Sequence, residues 1–209
     1  MARSQAPKTH AIGDREPGKH PLRDSRFQAL VCRFSEALAR GENAVPIMDN
    51  LLAILGQCLQ CDRVFLYFRS PESQAGRVPA CWRKQESVPT VYDPTWKLES
   101  SALPQTDPMF AAALKAQSSI FIEDIETAGP EVLNREFERQ TFGHRALIHA
   151  HLCSEQKLWG ILQACIFDSP RQWSPGDRRL IEQAVAWLTP LAIEYVHAHQ
   201  PDALALSRP

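Results

Sequence analysis

Two histidines that lie two residues apart are the first side chains in this sequence whose types could do chemistry. They belong to the segment RALIHAHLC, whose alternating pattern predicts a β-strand. Alternate side chains of a strand share a face, so Leu147, His149, His151 and Cys153 are expected to point the same way. Neutral imidazoles bind haem iron and transition metals. The alternative is that both rings are hydrogen-bonded wall residues that hold no metal.

Cysteine is the second reactive residue type, and its distribution favours buried, reduced thiols over disulfides. The six cysteines are Cys32, Cys58, Cys61, Cys81, Cys153 and Cys165, and most of them lie in apolar segments. Cys58 and Cys61 form one CxxC motif, but no second CxxC or nearby histidine pair completes a zinc site.

The remaining polar residues do not form a pattern typical of catalysis. Glu123 and Asp124 are adjacent, and neighbours on a strand face opposite ways, so they are not predicted to act as an acid–base pair. The sequence has no glycine-rich phosphate loop, HExxH or GxSxG motif. We therefore predict that the protein is not an enzyme.

Composition and charge narrow the class of protein further. The 209 residues are 44% hydrophobic, and the formal net charge is −1. Without a basic stretch, binding to nucleic acid or to anionic membranes is not expected. No apolar run approaches the roughly 20 residues that span a bilayer, and the N-terminus has no secretory signal pattern, so we predict no membrane insertion and a cytoplasmic location.

The chain is predicted to contain one domain with two flexible ends. Residues 1–21 are rich in Pro and Gly and poor in apolar side chains, which predicts a disordered N-terminal arm. Residues 22–199 form the domain, and residues 200–209 form a flexible C-terminal tail. No output domain is expected beyond this tail.

The elements that must position the candidate residues follow from apolar periodicity and capping signals. Helices are predicted from an N-cap at Asp24 or Ser25, from Val45, from Asp107, over 130–142 and from an N-cap at Ser174, the last with a bend at Pro190. Strands are predicted over 62–70, 77–84, 118–125, 145–153 and 157–167, and residues 87–106 are predicted to be a long irregular connection. This order favours an α+β fold in which helices cover one face of an antiparallel sheet.

Five motifs in this order resemble those of a GAF domain. They are CDRVFLY, DPMF, EDIETAG, KLWGILQAC and SPRQWSP, followed by the long amphipathic helix. The nearest resemblance is to the bilin-binding GAF domains of cyanobacteriochromes and phytochromes. It implies a central antiparallel sheet with helices on one face, and loops and short helices over a ligand cavity on the other.

The same resemblance implies where a bilin would be attached, and the required side chains are missing. The bilin-binding domains have a Cys-His dipeptide after the EDIETAG segment, whereas Leu133 and Asn134, or their immediate neighbours, occupy that place here. A thioether requires a nucleophilic sulfur. At a second position, where the family has a histidine that contacts the pigment, this sequence has Cys165. We predict that no bilin is bound covalently, and an atypical photoreceptor that uses Cys81 remains a third hypothesis.

The resemblance also defines candidate pocket residues, since it places the face of Leu147 and His149 against the cavity. The candidates are Leu133, Asn134, Leu147, His149, His151 and Cys165. His149 and Cys165 could serve a haem or another non-covalent small ligand, which is the alternative functional hypothesis.

Our main prediction from sequence is a stand-alone, non-enzymatic regulatory or assembly protein, in the setting of a photosynthetic organism. It would bind a protein partner in trans or form a homodimer through its terminal helices. Trp and Arg are enriched at interface hot spots. Candidate partner-binding residues are Trp187, Leu191, Tyr195, Trp82 and Trp96, and packing within the chain is the alternative for the three on the last helix.

Overall fold

The structure is a computed structural model, and it describes residues 25–199. The predicted arm at 1–21 and the predicted tail at 200–209 lie outside the described residues. Within them the predicted α+β architecture is confirmed.

Within residues 25–199, six strands form one central antiparallel sheet. The strands are β1 Arg63–Ser70, β2 Ala75–Arg83, β3 Asp93–Leu98, β4 Ile120–Ile122, β5 Ala146–Ser154 and β6 Lys157–Ile166, in the spatial order β3-β2-β1-β6-β5-β4. The pair β1–β6 joins distant parts of the chain at the middle of the sheet. The five strands predicted from hydrophobic periodicity are present as β1, β2, β4, β5 and β6.

The described part of the chain has six helices, which cover the two faces of this sheet unequally. They are α1 Ser25–Ala39, α2 Val45–Leu59, α3 Leu103–Thr106, α4 Pro108–Leu114, α5 Arg135–Thr141 and α6 Pro175–Ala198. The long helices α1, α2 and α6 pack together, and α2 and α6 contact the strands. The short helix α4 contacts β5 and β6. One face of the sheet thus carries a continuous helical layer.

Side-chain alternation along β5 separates two hydrophobic cores, as the sequence pattern predicts. Ile148, Ala150 and Leu152 belong to the large core under the long helices. Leu147 and Cys165 belong to a smaller core on the opposite face. The register pairs Leu147 with Cys165 and His149 with Gln163.

The predicted irregular connection over 87–106 is wrong in part, because it contains β3 and α3. In β3, Leu98 pairs with Ala75 and Asp93 pairs with Val78, so this segment forms one edge of the sheet. Its side chains are mostly exposed, and a strand that buries little gives little hydrophobic periodicity. The helix predicted over 130–142 is also shorter, since Asn134 caps α5 by accepting a hydrogen bond from the Phe137 amide at 3.2 Å.

A two-residue turn joins β5 to β6. Glu155 and Gln156 both have positive φ, 49° and 59°, which is the backbone of a type I′ hairpin turn. Further along β6, Gly160 lies against β1, where a Cβ at Gly160 would be 2.6 Å from the Tyr67 carbonyl oxygen. The glycine of the WG motif is therefore required by close strand packing.

The C-terminal end of α6 is fastened to the edge strand β3. The Trp96 indole nitrogen donates to the His199 carbonyl oxygen at 2.7 Å. The Arg77 guanidinium lies 4.7 Å from the Trp96 ring centroid and 4.8 Å from that of Tyr195. At the other end, Ser174 and Asp177 form the capping box that starts α6. Across residues 25–199, no helix is long and apolar enough to cross a membrane.

Candidate functional site

A cavity of about 280 Å³ lies on the sheet face opposite the long helices. Residues of β1, β2, β5 and β6 form its floor, and residues from α4, α5 and the segment around β3 cover it. Its apolar lining residues are Phe65, Tyr67, Val78, Val91, Leu103, Met109, Phe110, Phe137, Phe142 and Ile161. Its polar lining residues are Asp93, Asp107, Glu138, His149 and Gln163. None of these lining residues is a Cys, Lys or Arg.

Asp107 enters the cavity wall as the N-cap of α4. Its Oδ1 accepts hydrogen bonds from the amides of Met109 and Phe110, at 2.9 and 3.1 Å. No described residue donates to Oδ2. Burial raises the pKa of Asp107 to about 6, against the lowering effect of the two amides.

Glu138 is the most buried acidic residue of the cavity, with 1% of its surface exposed. Its Oε2 lies 2.8 Å from His144 Nε2, yet within the described chain neither atom has a partner in hydrogen-bonding geometry. Burial raises the pKa of Glu138 to about 8, although Arg63 opposes the shift. An unsatisfied, buried carboxyl group is costly unless a ligand or a proton compensates it.

A second buried group, Arg63, lies beside the cavity, on the same face of β1 as the lining residue Phe65. Its Nη1 donates to the Pro89 carbonyl at 2.9 Å, its Nη2 lies 3.8 Å from Cys165 Sγ, and its guanidinium stacks 4.9 Å from the Phe167 ring centroid. Burial raises the pKa of the Cys165 thiol, but His144 and Arg63 outweigh that effect and lower it. Cys165 is fully buried and is not a lining residue, so the cavity does not expose a nucleophilic sulfur.

The two histidines of β5 form a relay that fixes their tautomers. His151 Nδ1 is 2.8 Å from the Gln117 carbonyl oxygen, and His149 Nδ1 is 2.9 Å from His151 Nε2. A carbonyl only accepts, so His151 Nδ1 carries a proton and its neutral Nε2 accepts from His149 Nδ1–H. Burial lowers the pKa of both rings, which keeps them neutral. His149 therefore retains an unprotonated Nε2, which no described residue contacts by a hydrogen bond.

The structure separates the six candidate pocket residues into three groups. His149 lines the cavity, and His151 lies behind it in the relay. Leu133, Leu147 and Cys165 pack together in the small core beside the cavity. Asn134 caps α5 and donates to the Thr106 carbonyl at 2.9 Å, so its amide is already engaged.

Cys165 and Cys81 are the two cysteines that the sequence hypotheses use as a ligand or an attachment site. His149 and Cys165 are not brought together as ligands, since Cys165 Sγ contacts Arg63 and Gln163. In the described part of the chain, no group of three or more His, Cys, Asp or Glu side chains is arranged to hold a metal ion. Cys81, the atypical attachment candidate, is half-buried and is not a lining residue of the cavity.

The candidate partner-binding residues are largely used within the chain. Leu191 and Tyr195 are only 4% and 2% exposed, so they are not available to a partner in this conformation. Trp82 lies against Gly56 of α2, and Trp96 is bonded to His199. Trp187 is half-buried, with its ring centroid 5.5 Å from that of Phe27.

Sequence reasoning missed four polar residues of the cavity: Asp93, Asp107, Glu138 and Gln163. Asp107 gave a signal, but only as a helix start. Gln163 lies opposite His149 on β6, so the strand register would have found it once the pairing was known. Glu138 gave no signal, because a Glu in a charged helical segment is ordinarily exposed.

Comparison with known proteins supports the fold. The sequence model of a family described as GAF domain matches residues 43–189. Comparison with curated proteins gave no match.

Among solved structures, the chain is similar to the phycocyanobilin-bound GAF domain from a cyanobacterial phytochrome. The two share 18% identity and a TM-score of 0.59, over 84% of this chain and 98% of the other. The phycoerythrobilin-bound GAF domain from a cyanobacterial phytochrome gives 17% identity and a TM-score of 0.58, over 83% and 96%. The blue-light-absorbing form of the Thermosynechococcus elongatus PixJ GAF domain gives 20% identity and a TM-score of 0.54, over 93% of this chain and 100% of the other. At these low identities, the likeness is evidence for the fold alone.

Proposed function

Because this chain belongs to the GAF domain family, we propose that it is a sensory domain that binds a small molecule non-covalently and has no enzymatic activity. The observation that supports this proposal is the cavity itself. It is apolar over most of its wall, and it contains a few convergent, buried polar groups, which is the usual composition of a small-molecule site.

Attachment of a bilin does not fit the side chains present. The predicted attachment position holds Leu133, and the cavity lining has no thiol. Bilins and haem also carry two propionates, and the lining residues include no Lys or Arg to pair with them. A buried carboxylate without a basic partner is unfavourable.

The volume of the cavity also disfavours a tetrapyrrole. Ligand sites for drug-sized molecules measure roughly 300–1,000 Å³, and about 280 Å³ lies just below that range. A tetrapyrrole would require the cover of α4 and α5 to move. His149 Nε2 has the protonation state that iron requires, but the size and charge of the cavity favour a compact ligand over haem.

The proposal is tested by ligand screening with a cavity-filling variant. Compounds that raise the thermal midpoint of the wild-type protein should lose this effect in Ile161→Phe, which places a ring in the cavity. Ile54→Phe, in the groove between α1 and α2, introduces the same change away from the cavity and should respond like wild type. A stabilising compound that is unaffected by Ile161→Phe binds elsewhere, and a covalent tetrapyrrole found by intact-mass measurement would contradict the proposal.

We further propose that such a sensor acts through protein contact, with homodimerisation through the terminal helices as the route. The observation that favours this route is Trp187, whose half-buried indole lies at the seam of α1 and α6. Sedimentation of the wild type and of Trp187→Ala would test it. Equal, monomeric sedimentation of both proteins at high concentration would contradict the homodimer.

A further inference from the structure

The wall of the cavity combines aromatic rings with carboxyl groups. Five of its lining residues are aromatic: Phe65, Tyr67, Phe110, Phe137 and Phe142. Aromatic faces attract cations through their quadrupole, and clusters of them recognise quaternary ammonium groups. The apolar part of the wall therefore favours a cation over a neutral molecule of equal size.

The polar residues of the wall also favour a positively charged ligand. Asp107 and Glu138 reach the cavity from α4 and α5. Among the described residues Asp107 Oδ2 has no donor, and Glu138 Oε2 lies 2.8 Å from His144 Nε2 without hydrogen-bonding geometry. Asp93 is a third acid at the rim, where Lys97 pairs with it. Among the described lining residues there is no Lys or Arg, so a bound cation would add positive charge next to Asp107 and Glu138.

The hydrogen-bonded pair of His149 and His151 leaves one acceptor that can orient a ligand. His149 lines the cavity, and its Nε2 is left as an acceptor because its proton lies on Nδ1 and is donated to His151. A ligand that also carries a hydroxyl or N–H donor would satisfy this nitrogen.

We propose that the cavity selects a compact organic cation, of the quaternary ammonium or protonated amine class, that carries a hydrogen-bond donor. This inference rests on the proposed small-molecule function and specifies the ligand class for the same cavity. The positive group would lie among the aromatic rings next to Glu138 and Asp107, with the donor directed at His149.

Binding of such a cation would be linked to proton release. Glu138 faces His144 from the segment before β5, Arg63 from β1, His149 from β5 and Asp107 from α4, and it holds its proton up to a pKa of about 8. A cation stabilises the ionised carboxylate. Its affinity should therefore rise with pH, first through ionisation of Asp107 near pH 6 and then through that of Glu138 near pH 8.

Choline is a suitable probe, because its ammonium group does not titrate in this range and its hydroxyl is a donor. Its neutral isostere, 3,3-dimethyl-1-butanol, is the matched control ligand. In calorimetric titrations of the full chain, choline should bind at least about tenfold more tightly than the alcohol. Its affinity should increase between pH 6 and pH 8.

Two variants locate the effect. Glu138→Gln keeps the shape of the side chain and should weaken choline about tenfold or more at pH 8, with little change for the alcohol. Glu136→Gln removes an exposed charge from the same helix and should leave both affinities unchanged.

The outcomes separate this inference from the proposed function. Equal binding of choline and the alcohol, or full choline affinity in Glu138→Gln, would overturn the cation inference and leave a ligand-binding cavity. No binding of choline at millimolar concentration would also overturn it. Only a screen in which no stabilising compound loses its effect in Ile161→Phe would contradict the cavity function as well.

Discussion

Glu138 places a carboxyl group in a buried position where no well-aligned donor among the described residues bonds its Oε2. Its neighbours Phe137 and Phe142 are aromatic, and His144 lies close without forming a hydrogen bond. Buried polar groups of this kind are commonly found where function requires them, because the fold alone would be more stable with an apolar residue. At the scale of single residues, this is the feature that most clearly distinguishes the cavity from a packed core.

Glu138 should make the stability of the free protein fall with rising pH. The folded-state pKa of about 8 is above the usual value of 4.5, so the folded state holds a proton that the unfolded state releases across this window. The contribution of this group is complete below pH 4.5, and it is lost as pH rises to 8. Urea unfolding of wild type should show this decline, and Glu138→Gln should show a shallower one.

The control for this measurement is Glu136→Gln, whose stability should follow the wild-type pH profile. Asp107 contributes a decline in the same direction at lower pH, since its folded-state pKa of about 6 is also raised. An identical pH profile in Glu138→Gln and wild type would show that Glu138 is ionised at neutral pH in the free protein.

Sequence reasoning succeeded for residues whose neighbours in the chain define their environment, and it failed for the others. Strand alternation predicts that His149 and Leu147 share a face, and the family resemblance placed that face against the cavity. The position of Glu138 depends on how α5 packs over the sheet, which no local pattern encodes. Cys165 was a candidate ligand in the sequence, but its contact with the fully buried Arg63 required the β1–β6 pairing.

At the scale of elements, the pairing of β1 with β6 depends on Gly160. A side chain there would meet the Tyr67 carbonyl oxygen at 2.6 Å and Leu152 at 3.3 Å. We expect Gly160→Ala to destabilise the protein by about 1–3 kcal/mol, which is typical of overpacking, as measured by chemical unfolding. Gly176→Ala is the matched control, because its Cβ would meet only Ser174 Oγ at 3.4 Å and alanine suits a helix better than glycine.

The start of α4 gives a second prediction at this scale. Asp107→Ala removes the acceptor of two backbone amides and should cost about 0.5–2 kcal/mol of stability. Asp107→Asn keeps an N-cap acceptor and should retain most of that stability while losing the charge. Thermal unfolding of both variants separates the capping role of Asp107 from its place in the cavity, and an equal loss in the two would indicate that the charge itself stabilises α4.

At the scale of the whole molecule, the cavity and the last helix are connected through β3. Asp93 of this strand lines the cavity, and Trp96, three residues later, holds the end of α6. Tyr195 of α6 makes a second contact near this end of the helix, because its ring stacks on Phe68 of β1 with centroids 4.2 Å apart. A change in cavity occupancy that shifts β3 would therefore reach the C-terminal end of α6.

This connection predicts the behaviour of Trp96→Phe. The variant retains an aromatic ring but loses the hydrogen bond to His199, which should cost about 0.5–1.5 kcal/mol. Amide hydrogen exchange should become faster in the last turn of α6 and in β3. Thr95→Ala, at an exposed position of the same strand, should leave both regions unchanged. Unchanged exchange in Trp96→Phe would show that packing alone holds this end of α6.

The overall architecture could be predicted because most strands bury one or both faces and so carry a strong hydrophobic pattern. The edge strand β3 was missed for the opposite reason, since Thr95 and Lys97 are exposed and Pro94 is atypical of a strand. The cavity was expected from the family resemblance, but its charge was not. That charge is the sum of acids from three separate segments, and only the folded chain brings them together.

The exposed edge formed by β3 has a consequence for how copies of this protein meet at high concentration. An open strand edge offers backbone groups to a neighbouring chain and can seed ordered aggregates. Here Pro94 interrupts the row of amide donors, and docking a second strand would desolvate the charged Lys97. This border of the sheet is consequently protected against fibre-like stacking, and Pro94 and Lys97 are the two residues whose replacement by Val would most directly remove that protection.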